Sequence, residues 1–229
     1  MNSILNNKNF KSLSLVYGLI ILILAVVAYL KLETGEYVLR MICIPTLMVL
    51  YFITSKSKNK LYLFSLLMAT ISNVLFIPKD LVFLKYGLIA FLVYRIITLY
   101  LVMKNSPKLT FFSVIIGSIF FLFPLLYFII LIEDSLGDSF FSGLINIILV
   151  SILGGMSLTN YLLESNFKHI SLLTSTLLYT FLVLLFVIQN YFLYIRIFEP
   201  LRVIVLMAAH YFFCMYLLLT ENEREEFNS

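Results

Sequence analysis

Eight apolar runs of bilayer length, set apart by short charged connections, leave this chain few ways to fold. Inside hydrocarbon no water meets the backbone, so a spanning segment has to be an α-helix or part of a closed barrel. Runs near twenty residues have the length of a helix crossing about 30 Å, and they lack the two-residue alternation of a barrel strand. They fall at 13–30, 37–54, 61–77, 83–103, 110–132, 140–163, 170–192 and 200–220. The short connections make successive helices antiparallel neighbours. The fold class implied is an all-α polytopic membrane bundle of about eight helices. It forms a single transmembrane domain over residues 1–229, with a short polar tail at 221–229. A composition that is 62% hydrophobic and 12% charged agrees, as does a mean hydropathy of +1.04.

The same composition excludes several classes. A net charge of +4, spread along the chain without a basic patch, offers nothing to nucleic acid. Cys43 and Cys214 both lie inside predicted helices and read as small apolar fillers rather than a disulfide. No helix carries His, Cys or carboxylates at metal-ligand spacing, so neither a metal nor a cofactor is expected.

Loop charge sets the expected orientation. Lys8, Lys11, Lys56, Lys58, Lys60, Lys104, Lys108, Lys168 and Arg224 fall on the side of the termini. Lys31, Lys79, Lys85, Arg196 and Arg202 fall on the other, whose middle loop is the acidic "EDSLGDS". The positive-inside rule then places both termini in the cytoplasm. The first run, with Lys8 and Lys11 before an apolar stretch ending "AVVAY", also has the outline of a cleavable signal peptide. Its length favours a span.

Polar residues at depth are the informative ones, because an ionisable group in the bilayer core costs roughly 2.5–3.5 kcal/mol. All twelve Asp and Glu residues lie in loops, the tail or helix ends, so the bundle interior is expected to hold no carboxylate. Arg95, in "FLVYRIITLY", is the charge deepest in a span and should pair with amides or carbonyls or face a polar cavity. Arg40 lies about one turn inside its helix, near enough to snorkel to the headgroups. His210, in "MAAHYFFCMY", is the interior group that titrates near neutrality. Two amide pairs, Ser72-Asn73 and Gln189-Asn190, interrupt the third and seventh runs and could simply tie helices together. Ser151, Gly154, Gly155 and Ser157 read as a close-packing stripe, and Pro45 and Pro124 as kinks.

The amide pairs are about 117 residues apart, and the same step from Arg95 reaches the neighbourhood of His210-Tyr211. Four helices separate the halves, so the pattern suggests a parallel duplication whose polar residues could meet at the repeat interface. Three stretches, "SLLMATISN" ending at Asn73, "GLIAFLVYR" from Gly87 to Arg95 and "FVIQN" ending at Asn190, resemble the YhhN or lysoplasmalogenase-like integral membrane proteins. The corresponding family forms are "GLLFSLLGD", "GLLAFLLAH" and "FVLSD". The resemblance covers most of the chain from the second helix onward and implies eight helices in a bacterial inner membrane. It also implies hydrolysis of the vinyl ether of a lysoplasmalogen to a fatty aldehyde and a glycerophospho-headgroup.

At the working positions the chain departs from that pattern. Asn73 and Asn190 stand where the family has aspartates, Arg95 where it has a histidine, and Ile44 before Pro45 where it has a lysine, with Arg40 one turn away as a substitute cation. Vinyl ether cleavage needs an acid for the β-carbon and a group to orient water, roles that two carboxylates of separated pKa fill. An amide cannot donate that proton. His210 becomes the candidate acid, with Asn73 and Asn190 positioning water. Arg95, Arg40, Ser72, Gln189 and Tyr211 become candidate substrate-binding residues around one lipid-sized cavity. Three readings follow: a YhhN-like lysolipid hydrolase, a non-catalytic membrane protein binding a lysophospholipid or other anionic amphiphile, or a small transporter or sensor with Arg95 as counter-ion.

Overall fold

Several connections in this chain end where a short polar side chain closes the next helix. Asn59 Oδ1 accepts from the backbone N–H of Leu61 at 3.0 Å and of Tyr62 at 3.3 Å. Asp80 Oδ1 accepts from Val82 at 2.7 Å, and Asn166 Oδ1 from His169 at 2.9 Å. These are N-caps, and each satisfies a donor that the helix itself leaves orphaned.

The structure, a computed structural model, describes residues 8–78, 80–106 and 109–228, with side chains as far as Arg224. Lys79 and Lys108, which entered the loop-charge comparison, lie outside the described residues. Eight long helices run through the rest: α1 (Lys8–Leu30), α2 (Glu33–Thr54), α3 (Lys60–Leu75), α4 (Leu81–Asn105), α5 (Phe111–Leu131), α6 (Phe140–Leu163), α7 (Phe167–Val187) and α8 (Phe198–Asn228). Seven of the expected spans are long and apolar enough to cross a membrane. The exception, α3, has 16 residues and spans about 24 Å at 1.5 Å per residue. The fold is that of a polytopic helical membrane protein.

Two ends differ from the sequence reading. The polar tail is not separate, because α8 continues through it to Asn228. Glu221 is held there by the Tyr51 hydroxyl at 2.7 Å and by Ser55 and Ser57. At its far end α7 widens into a π-helical turn, Ile188–Phe192, where the N–H of Leu193 donates to Ile188 O at 2.8 Å. Gln189 and Asn190 sit in that widened turn, at the end of the helix.

Seven helices close a ring in the order α1, α2, α3, α4, α6, α7, α8, with α5 packed outside against α6 and α7. Exchanging α1–α4 for α5–α8 maps the close pairs α1/α2, α2/α3, α3/α4 and α4/α6 onto α5/α6, α6/α7, α7/α8 and α2/α8, but α1/α8 and α5/α7 have no close counterpart. The two halves therefore share a neighbour pattern except at the displaced α5. Phe111, Phe112, Phe120 and Phe123 of α5 are 71–83% exposed, which suits a helix turned to lipid.

The seam holding α5 depends on glycine. A Cβ on Gly155 would lie 2.4 Å from Val114 O and 2.6 Å from Ser118 N, both backbone atoms that cannot swing aside. Gly155→Ala is therefore expected to cost about 1–3 kcal/mol, the usual penalty of overpacking. Thermal unfolding in detergent checks this, with Gly18→Ala, where nothing lies within 4 Å, expected to leave the midpoint unchanged.

Candidate functional site

Arg40 and Arg202, on α2 and α8, each find a carboxylate on their own helix. Arg40 Nη2 donates to Glu36 Oε1 at 2.6 Å across one turn, and Arg202 Nη2 donates to Glu199 Oε2 at 2.6 Å. All four side chains are largely shielded, between 11% and 17% exposed. Arg40 lies within electrostatic range of both Glu199 and Arg202, so the two pairs form one cluster. Arg40 turns inward instead of snorkelling, and its Nη1 reaches Asn73 Oδ1 at 3.2 Å. Glu36 and Glu199 lie in first helical turns, as the sequence reading had it, and are shielded but not fully buried; among the described residues no Asp or Glu is fully buried.

The cluster stands between two adjacent spaces. Outside it lies a vestibule of 680 Å³, bounded by Lys31, Glu33, Glu36, Asp80, Asn190 and Glu199 among others. Inside lies a cavity of 160 Å³ whose walls include Phe91, Leu182, Val183 and Leu206, with Ser72, Asn73, Asn146 and His210 as polar points. Arg40, Phe76, Phe186 and Arg202 border both spaces. The ends of α1, α3 and α7 and the starts of α2, α4 and α8 frame the vestibule, so it opens at the end of the bundle opposite the start of α1 and the end of α8. The α7–α8 connection is pinned over this opening. Arg196 Nε donates to Tyr29 O at 3.0 Å, and Lys31 Nζ lies 4.7 Å from the Tyr194 ring centre.

Four buried polar atoms on residues lining the inner cavity lack a hydrogen-bond partner in the protein: Arg40 Nε, Arg202 Nε, His210 Nε2 and Asn146 Oδ1. Buried polar atoms are satisfied in the great majority of cases, and half of the eight partnerless ones among the described residues belong to residues lining this space, which makes it the candidate site. Among the described residues that line it there is no Asp or Glu.

Of the residues singled out from sequence, Asn73, Ser72, Arg40 and His210 share the inner cavity. Ser72 Oγ donates to Gly87 O at 2.9 Å, fixing α3 to α4. Asn190 is separated from them, exposed in the vestibule with Nδ2 donating to Phe186 O of its own helix at 2.8 Å. Gln189 is buried and accepts from the Ile195 N–H at 3.1 Å. Tyr211 faces away, stacked on Tyr17 and donating to Ser14 Oγ at 3.2 Å. Arg95 does not line the cavity and makes neither of the expected pairings for its Nε or Nη1. It lies instead 3.8 Å from the Tyr179 ring centre and 4.7 Å from that of Phe91, behind the cavity wall.

Sequence reasoning passed over Glu36, Glu199, Arg202, Asn146, Tyr94 and Tyr179. The first three carried a signal, since Glu36/Arg40 and Glu199/Arg202 stand at the i,i+4 and i,i+3 spacings of helical ion pairs. The tyrosines had none, being distant in sequence and joined only by the fold. Comparison with protein-family models, curated proteins and solved structures finds no match to this chain.

The setting of Arg95 yields a stability prediction. A cation at this depth costs roughly 2.5–3.5 kcal/mol, while a desolvated cation–π contact returns about 2 kcal/mol. Arg95→Met, close in volume, is thus expected to leave the unfolding midpoint unchanged or raised. A clear fall in the midpoint would show that the guanidinium holds the helices together.

Proposed function

We propose that this protein binds a lysophospholipid or a similar single-chain amphiphile, with the charged head in the vestibule and part of the chain in the inner cavity. One observation carries the reading: the two Glu–Arg pairs stand where a polar space of 680 Å³ gives way to an apolar one. A vestibule of this size lies within the ~300–1,000 Å³ usual for small-molecule sites. Both signs of charge line it, from Lys31, Arg40 and Arg202 on one side to Glu33, Glu36, Asp80 and Glu199 on the other. A head that is itself zwitterionic can exchange partners with each pair without leaving a buried charge alone. The YhhN-like stretches support the same class of ligand. On that resemblance and the loop charges, the protein belongs to a bacterial inner membrane with cytoplasmic termini and takes its ligand from the outer leaflet.

A hydrolytic reading rests on His210, which lines the cavity and whose buried Nε2 has no hydrogen-bond partner in the protein. Against it stands the chemistry of Asn73. A carboxylate at that position would meet Arg40 and stay ionised, so Asn73→Asp makes an ion pair rather than an acid.

Arg202→Gln and Arg40→Gln are expected to weaken lysophosphatidylcholine binding to nanodisc-held protein by about 10- to 100-fold, the worth of a charge-assisted hydrogen bond. Lys104→Gln, exposed near the opposite end of α4, should bind as the wild type does. The wild type should release no fatty aldehyde from a lysoplasmalogen; release abolished by His210→Ala would bring the hydrolytic reading forward.

A further inference from the structure

Among the described residues that line the inner cavity there is one imidazole, His210, and its surroundings decide what it presents. His210 is 1% exposed, and its Nδ1 is hydrogen bonded to Tyr179 Oη and lies 3.2 Å from Tyr94 Oη. The two phenol oxygens are themselves 2.6 Å apart. These three atoms share a closed group with no other hydrogen bond to either phenol among the described residues.

Proton counting favours one tautomer. If Nδ1 accepts, one phenol donates to the other and the second donates to Nδ1, so both phenol protons are used. If Nδ1 instead carried a proton, a buried phenol O–H and the Nε2 lone pair would both be left unmatched, whereas the other tautomer leaves only the Nε2–H unmatched. The cationic Arg95, stacked over the Tyr179 ring, further polarises that phenol as a donor. The proton therefore resides on Nε2, the nitrogen without a partner in the protein. The nearby walls are largely apolar, including Phe91, Leu182 and Leu206.

We propose that the Tyr94–Tyr179 pair holds His210 as an Nε2–H donor, and that this N–H binds an oxygen carried on the chain of the amphiphile, well below its head. The inference rests on the amphiphile reading and adds to it a second, buried recognition point. Its depth follows from helix geometry. Arg202 and His210 are eight residues apart on α8, a rise of about 12 Å. A chain with an oxygen at that depth satisfies the donor, whereas a plain hydrocarbon leaves it unpaired. Tyr94 and Tyr179 act as positioning residues, since they reach the ligand only through the imidazole.

The test uses full-length protein in nanodiscs and alkylphosphocholines of one chain length, either plain or with one keto oxygen moved along the chain. One keto position should bind on the order of tenfold more tightly than the plain chain, and His210→Ala should erase that difference. With only two histidines in the chain, ¹⁵N-histidine NMR with His169→Gln for assignment reads the tautomer directly. Nε2 should be protonated before ligand is added, and its resonance should shift on binding of the favoured keto compound. Tyr94→Phe/Tyr179→Phe, which keeps both rings, should release the tautomer preference and reduce the keto advantage. A protonated Nδ1 in the wild type would overturn the proposal. So would equal binding of every keto compound and the plain chain, a result that leaves the amphiphile site itself standing. Absence of binding by any of them would overturn both.

Discussion

Lipid offers a charged side chain nothing to bind, so every cation carried into this bundle has to be met by the protein or by something the protein holds. The chain meets that constraint in two ways. Arg40 and Arg202 bring carboxylates from their own helices, one turn away, and enter as neutral pairs. Arg95 brings none and is wrapped in aromatic rings, which offset part of its desolvation. Both leave guanidinium nitrogens without a hydrogen-bond partner, the first on residues that line the cavity and the second on one that does not. That difference separates binding groups from supporting ones more clearly than depth in the membrane does.

The ring of helices makes the cavity possible. Seven helices around a closed circuit bring the ends of α3 and α7 and the starts of α2, α4, α6 and α8 to one end of the bundle. Several are fastened by polar contacts: Ser72 to Gly87, Asn73 to Arg40, and Asn146 Nδ2 to Leu88 O at 3.1 Å. Gly87 has a further part in this arrangement, because a Cβ there would meet the Phe76 ring at 2.7 Å. That ring borders both spaces, so the absence of a side chain at position 87 helps set the width of the passage between them. At the other end of the molecule, Glu221 gathers Tyr51, Ser55 and Ser57 and ties the α2–α3 connection to α8.

Bilayer-length runs made the helices legible from sequence, because hydrocarbon thickness fixes their length and the backbone requires their form. What escaped was orientation about each helix axis. Arg40 could equally snorkel outward or turn inward on a segment apolar on most sides, and only its contact with Asn73 on α3 settles which. Asn190 reads as a partner of Asn73 by spacing, yet the π-turn at the end of α7 carries it to the surface. Arg95 was recognisable as buried, but its aromatic surroundings come from α4 and α7 together, which no local pattern records. The carboxylates at the mouth were dismissed because helix ends usually face water; here two of those ends face each other.

The account stands on an amphiphile entering between the two Glu–Arg pairs, and photo-crosslinking tests that most directly. A lysophosphatidylcholine with a diazirine in its chain would be irradiated with the protein in nanodiscs and the adducts mapped by mass spectrometry. Adducts at Phe91, Leu182, Val183 and Leu206, lost in Arg202→Gln, are the predicted result. Labelling confined to outward-facing residues such as Phe120 and Phe123 of α5 would contradict it and leave the cavity without its proposed occupant.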